Sequence, residues 1–103
     1  LQFKTMPRPR CCPKIGHRPK ARSFKPQGVP MSEIEAIEVG SDEIESMRLV
    51  DLEGLSQLDA AERMGISQPT LCRLIASGRR KTIDAIVNGK AMSFPASERG
   101  DLR

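Results

Sequence analysis

The chain has 103 residues, a net charge of +4 and 38% hydrophobic residues. A chain of this size buries one modest core. With no Trp, no Tyr and three Phe, that core must be built from aliphatic side chains and Met. No apolar run approaches a membrane span, and no secretory apolar segment follows the basic beginning, so a cytoplasmic protein with no membrane partner is expected.

The charge is unevenly spread. Residues 1–31 carry eight Lys or Arg and no acid, whereas residues 32–103 carry nine against 13 acids, a net of −4. A basic arm on a mildly acidic globule is the implied organisation. Three Cys, Cys11, Cys12 and Cys72, form an odd set that suits reduced thiols in a cytosolic compartment. Cys11 and Cys12 with His17 invite a metal or redox-sensing reading. Adjacent cysteines do not make the usual chelate, however, and a fourth ligand is lacking, so no metal and no cofactor are expected.

From Met6 to Pro30 the chain carries six Pro and no period, which favours extended or turn-rich backbone. Two readings of this arm stand side by side: a basic tail that aids solubility, or an arm that follows phosphates or enters a minor groove. Ile15, Phe24 and Val29 are positions able to pin it to the globule. Ser32-Glu33-Ile34-Glu35 has the S-x-x-E pattern and predicts a short helical turn with Met31, Ile34 and Ile37 on its apolar side, ended by Gly40. Ser41 or Asp42 then caps a helix running to Gly54, with Ile44, Met47, Leu49, Val50 and Leu52 as its apolar residues. Its acids read as a solvated face that complements the helix dipole, with Arg48 one turn from Glu45.

The stretch Ser56 to Lys81, SQLDAAERMGISQPTLCRLIASGRRK, organises the rest. Ser56 caps a short helix with Asp59 three residues on, and Ala60, Ala61 and Met64 supply its apolar side. Ala61 is small enough for two helices to cross closely. Gly65 stands where the chain turns, Ile66 plugs the corner, Ser67 caps the next helix and Pro69 fits its first turn. Leu71, Leu74 and Ile75 face the first helix, leaving Gln68, Thr70, Cys72, Arg73 and Ser77 outward. The second helix continues to Asn88 with Gly89 as its C-cap, about 30 Å in all. Gly78 within it marks either a close helix approach or a weak point. Lys90 to Arg103 reads as a frayed polar tail, with Met92 and Phe94 able to dock back.

A short helix, a tight turn and a longer basic helix are the layout of a helix-turn-helix DNA reader. Three quotations carry a family resemblance: MPRPRCC, FKPQGVPMSEIE, and DEIESMRLVDLEGLSQLDAAERMGISQPTLCRLIASGRRKTIDAIVNGKA. Together they resemble the small prokaryotic family of predicted DNA-binding proteins known as domain of unknown function 134. The third is also similar to region four of bacterial sigma factors. The resemblance implies a cytoplasmic, sigma-region-four-like helix-turn-helix, a DNA-binding role and no enzyme activity. By position it makes Gly65 the turn, Ser67 the cap, Gln68, Thr70 and Arg73 the reading face, and Arg79, Arg80 and Lys81 the basic run after it. The chain departs from the family pattern in having Gln68 where a basic residue is common and Gly78 where Ala is common.

The expected fold is therefore all-α: a small helix-turn-helix domain, sigma-region-four-like or winged-helix-like, over 32–90, with its core at 56–81. An extended basic arm occupies 1–31 and a tail 91–103. The expected function is sequence-specific binding of double-stranded DNA and transcriptional regulation. The contact residues are Ser67, Gln68, Thr70, Arg73, Ser77, Arg79, Arg80 and Lys81, joined by Arg8 and Arg10 from the arm. No Gly-rich phosphate loop or paired nucleophile and base is present, so no enzyme is expected. Alternatives are a protein-interaction module that meets RNA polymerase or another part of the transcription machinery, and a Cys-based sensor. The length and leftover apolar residues of the last helix suggest a homodimer.

Overall fold

The computed structural model describes residues 13–17 and 19–94. Two of its helices start at the expected caps, but the first starts one residue early: Gly40, not Ser41 or Asp42, is its N-cap, and the Gly40 N–H donates to Glu43 Oε1 at 2.8 Å. Helix α1 spans Ser41–Met47 and runs into a wide π-helical turn at Arg48–Leu52. Helix α2 spans Gln57–Met64, and its Ser56 hydroxyl accepts the Asp59 N–H at 3.0 Å. Helix α3 spans Gln68–Asn88, with the Ser67 hydroxyl accepting the Thr70 N–H at 3.2 Å and Pro69 in its first turn. Gly65 joins α2 to α3 at φ 71°, a left-handed conformation costly for any residue with a Cβ.

The core lies where these helices meet. Leu49, Ala60, Ala61, Met64, Leu71 and Ile75 are buried together, flanked by Val50, Leu55, Ile66 and Leu74. These are largely the apolar positions that the helical spacing selects. Leu52 is the exception: it is 76% exposed, because the π-helical turn rotates it off the face it would occupy in a regular helix. Gly78 is a point of close approach. A Cβ there would stand 2.9 Å from Met47 Cε and 3.3 Å from Glu43 Cβ, so α1 and α3 meet where α3 has no side chain.

The expectation of an all-α fold is corrected. Strands β1 (Ser23–Phe24), β2 (Ala36–Glu38) and β3 (Ala91–Ser93) form a small sheet in the order β1-β3-β2. β1 pairs antiparallel with β3, setting Phe24 against Met92, and β2 pairs parallel with β3, setting Ile37 against Met92. The helical turn expected at Ser32 is confined to a 3₁₀ turn at Met31–Glu33, after which the chain extends into β2. The reason is visible afterwards: pairing with β3, through bonds such as Ala91 N–H to the Glu35 carbonyl and Val39 N–H to the Ser93 carbonyl, holds this segment extended and outweighs a lone capping pattern. The stretch expected to fray instead supplies the central strand. Phe94 does dock back, its ring 5.8 Å from that of Phe24 in an edge-on contact. Val39, Ala85 and Ala91 are buried at this end of the molecule.

Candidate nucleic-acid interface

The first turns of α3 present the residues expected to read DNA. Ser67, Gln68 and Arg73 are exposed and Thr70 is half-buried. The Ser67 hydroxyl donates to Thr70 Oγ1 at 2.8 Å, and an Arg73 Nη2–H reaches the same oxygen at 3.5 Å. The exposed Cys72 thiol donates to Gln57 Oε1 at 2.9 Å, so it ties the start of α2 to α3. This end of α3 is a polar surface whose side chains touch mainly one another.

The basic run farther along is used differently. Arg79 forms a forked pair with Asp51 at 2.6 and 3.2 Å, and the hydrogen bonds it donates to Asp51 hold its guanidinium above its ordinary pKa. Lys81 Nζ donates to Glu43 Oε1 at 2.9 Å and to the Glu38 carbonyl at 3.0 Å. The Ser77 hydroxyl donates to Glu43 Oε2. Arg80 stays exposed, one turn before Asp84. Ser77, Arg79 and Lys81 thus hold the long helix to the rest of the fold. Arg8 and Arg10 lie outside the described residues, as do Cys11 and Cys12.

The acids of α1 are not the solvated face that their sequence position suggests. Glu43 is 7% exposed and Glu45 2%. Burial pushes the Glu43 carboxyl up. Hydrogen bonds from the Ser77 hydroxyl, the Gly40 N–H at 2.8 Å and Lys81 outweigh this, and the group sits below its ordinary pKa. Glu45 takes Arg48 in a forked pair, Nε at 3.0 Å and Nη2 at 2.8 Å, the contact expected from their spacing. The hydrogen bond to Glu45 holds Arg48 above its ordinary pKa, and Glu53 adds a second carboxylate at 3.3 Å.

Glu45 also accepts the Gly16 N–H at 2.9 Å. Two residues earlier, the Lys14 N–H donates to the Met64 carbonyl at 2.9 Å, at the C-terminal end of α2. Residues 13–17 are therefore seated across α1 and the α2 terminus. A shallow apolar hollow of about 400 Å³ opens beside them, lined by His17, Pro19, Ile44, Met47 and Leu52. The seat could not be read from the sequence, because it depends on a backbone N–H that meets a carboxylate 29 residues away.

The family model described as protein of unknown function DUF134 matches residues 3–101. The chain belongs to this family. The DUF134 relatives include a UPF0251 protein from Aeromonas salmonicida, 43% identical over 90% of this chain and 91% of the relative. Another, from Shewanella sediminis, is 46% identical over 87% of this chain and 94% of the relative. A third, from Prosthecochloris aestuarii, is 48% identical over 82% of this chain, a match that covers 55% of the relative's length. The chain thus spans little more than half of some DUF134 relatives. No solved structure matches this chain. Among the described residues no helix is long and apolar enough to cross a membrane, and no three metal-ligating side chains gather.

Proposed function

We propose that this chain is a cytoplasmic, sequence-specific binder of double-stranded DNA and a regulator of transcription. It reads the major groove with the first turns of α3, and α2, Gly65 and α3 act as a helix-turn-helix of sigma-region-four type. One observation carries the proposal. A short helix with a small contact face at Ala60 and Ala61 turns at a left-handed Gly65 into a long helix whose first turns leave Gln68 and Arg73 exposed. An Arg or a Gln at such a position pairs with guanine or adenine edges, each good bidentate contact being worth about 1–3 kcal/mol of discrimination. Arg80 is an exposed cation of the following run and suits phosphate. The chemistry is binding rather than catalysis.

Titration with duplex DNA at several salt concentrations tests it. Arg73→Ala is expected to flatten the difference between preferred and random duplexes. Arg80→Ala should weaken all duplexes alike and reduce the salt slope by about 1. Binding that neither substitution alters would sink the proposal.

A second reading, an interaction module for RNA polymerase or another protein of the transcription machinery, is favoured by the apolar hollow with Leu52 exposed at its edge. Leu52→Asp would then abolish polymerase co-purification while leaving duplex affinity intact. A homodimer is compatible with either reading, since Ile83, Ile86 and Val87 form an exposed apolar stripe on the second half of α3. Sedimentation as a monomer at high concentration would exclude it.

A further inference from the structure

We propose that Lys14 is a phosphate contact of the DNA-binding surface, and that Glu45 is the residue that positions it there. The proposal rests on the reading of α3 as the DNA-facing helix.

Lys14 lies in a stretch whose composition implies a loose basic arm, yet it is fixed at two points. Its own N–H is bonded to Met64 O, and the N–H of Gly16 is bonded to Glu45 Oε2. Between these bonds Ile15 is half-buried. Glu45 makes a firm anchor because the forked pair with Arg48 fixes both of its oxygens inside the fold. The seat sends the Lys14 side chain over the α2–α3 turn. Its Cδ and Cε lie 3.9 and 3.7 Å from the place where a Cβ on Gly65 would stand. Gly65 precedes the α3 cap by two residues, so the exposed Lys14 shares the end of the molecule that carries Ser67 and Gln68. A cation at the edge of a helix that enters a groove meets the phosphates lining that groove.

The competing explanation is that the Lys14 ammonium serves only the C-terminal dipole of α2, which also favours a cation. The two differ in what salt does. A phosphate contact releases a counterion and steepens the salt dependence, whereas a dipole contact within the protein changes stability alone.

The experiment compares the full chain with Lys14→Gln, Gly16→Pro and Lys25→Gln, titrated against random-sequence duplex DNA at several salt concentrations. Thermal melting is recorded for each. Gly16→Pro removes the N–H that Glu45 accepts and keeps every charge. Lys25 lies beside β1 at the sheet end, so its removal controls for net charge. Lys14→Gln is expected to lose about threefold less affinity than the wild type over a fourfold rise in salt. Gly16→Pro crowds Glu45 Oε2 and Arg48 Nη2, which a Cβ there would approach to 3.2 and 3.3 Å, so its melting temperature should fall; titrated below that temperature it should show the same reduced salt slope, and Lys25→Gln should match the wild type. If the wild type binds, Arg73→Ala alters its preference, and Lys14→Gln and Gly16→Pro keep the full salt slope, the inference falls and the DNA reading stands. A wild type that binds no duplex at low salt overturns both.

Discussion

The two halves of α3 carry similar residues and do different things with them. The first half buries Leu71 and Ile75 under α2 and leaves its polar side chains outward. Farther along, Ser77 and Lys81 turn to Glu43 and the half-exposed Arg79 pairs with Asp51, while Arg80, Ile83, Ile86 and Val87 stay in solvent. Composition alone suggests the opposite for the basic run, since charge usually marks the wet side. The inversion follows from α1, which crosses α3 at Gly78 and brings Glu43 to the crossing. Acids from a neighbouring helix decide which cations of α3 are structural, and distance from that helix decides which remain available to a partner.

The most severe way to break this division is at the crossing. Gly78→Leu places a side chain where even a Cβ lies 2.9 Å from Met47 Cε and crowds Glu43. It should cost about 3 kcal/mol, read as a lowered denaturation midpoint with unchanged slope. A loss under about 1 kcal/mol would mean that the helices separate easily there. Next comes Glu43→Ala, which leaves the Gly40 N–H and the Ser77 hydroxyl without their acceptor and should cost about 2 kcal/mol at neutral pH. Its pH dependence sharpens the comparison further. Because Glu43 has a lowered pKa in the folded state, its contribution is fully present above the unfolded value of about 4.3 and is lost as pH falls through the lower folded value. Glu43→Gln should therefore show a shallower acid limb than the wild type, and parallel limbs would count against the network.

Ser67→Ala removes the cap of the first half alone and should cost about 1 kcal/mol. Amide exchange should show it: the first turn of α3 opens while the residues near Gly78 keep their protection. The smallest effect belongs to Arg79→Ala. Both partners of its ion pair are about half exposed, so the loss should stay below about 1 kcal/mol and shrink with added salt. A larger, salt-independent loss would show Arg79 to be part of the core joint.

Much of the helical architecture could be read directly from the chain. Ser56, Gly65, Ser67, Pro69 and Gly89 act on backbone groups within a few residues of themselves, so their signals are local and the structure repeats them. The sheet was not legible for a physical reason. β1 has two residues and β3 three, too few for an alternation to register, and each exists only because distant segments pair with it. The candidate site divides along the same line. The exposure of Gln68 and Arg73 follows from helical periodicity. The employment of Ser77, Arg79 and Lys81, and the burial of Glu43 and Glu45, depend on which helix lies opposite, and no spacing rule supplies that.

The parallel pairing of β2 with β3 brackets all three helices between partners 55 positions apart, Ala36 and Ala91. Its outlying bonds, Ala91 N–H to the Glu35 carbonyl and Val39 N–H to the Ser93 carbonyl, tie the entrance of the helical unit to its exit. Closing so long a loop is entropically costly until the helices between have packed. The sheet is therefore expected to close last in folding, like a clasp, and hydrogen exchange at its two amides tests whether the domain unfolds as one piece.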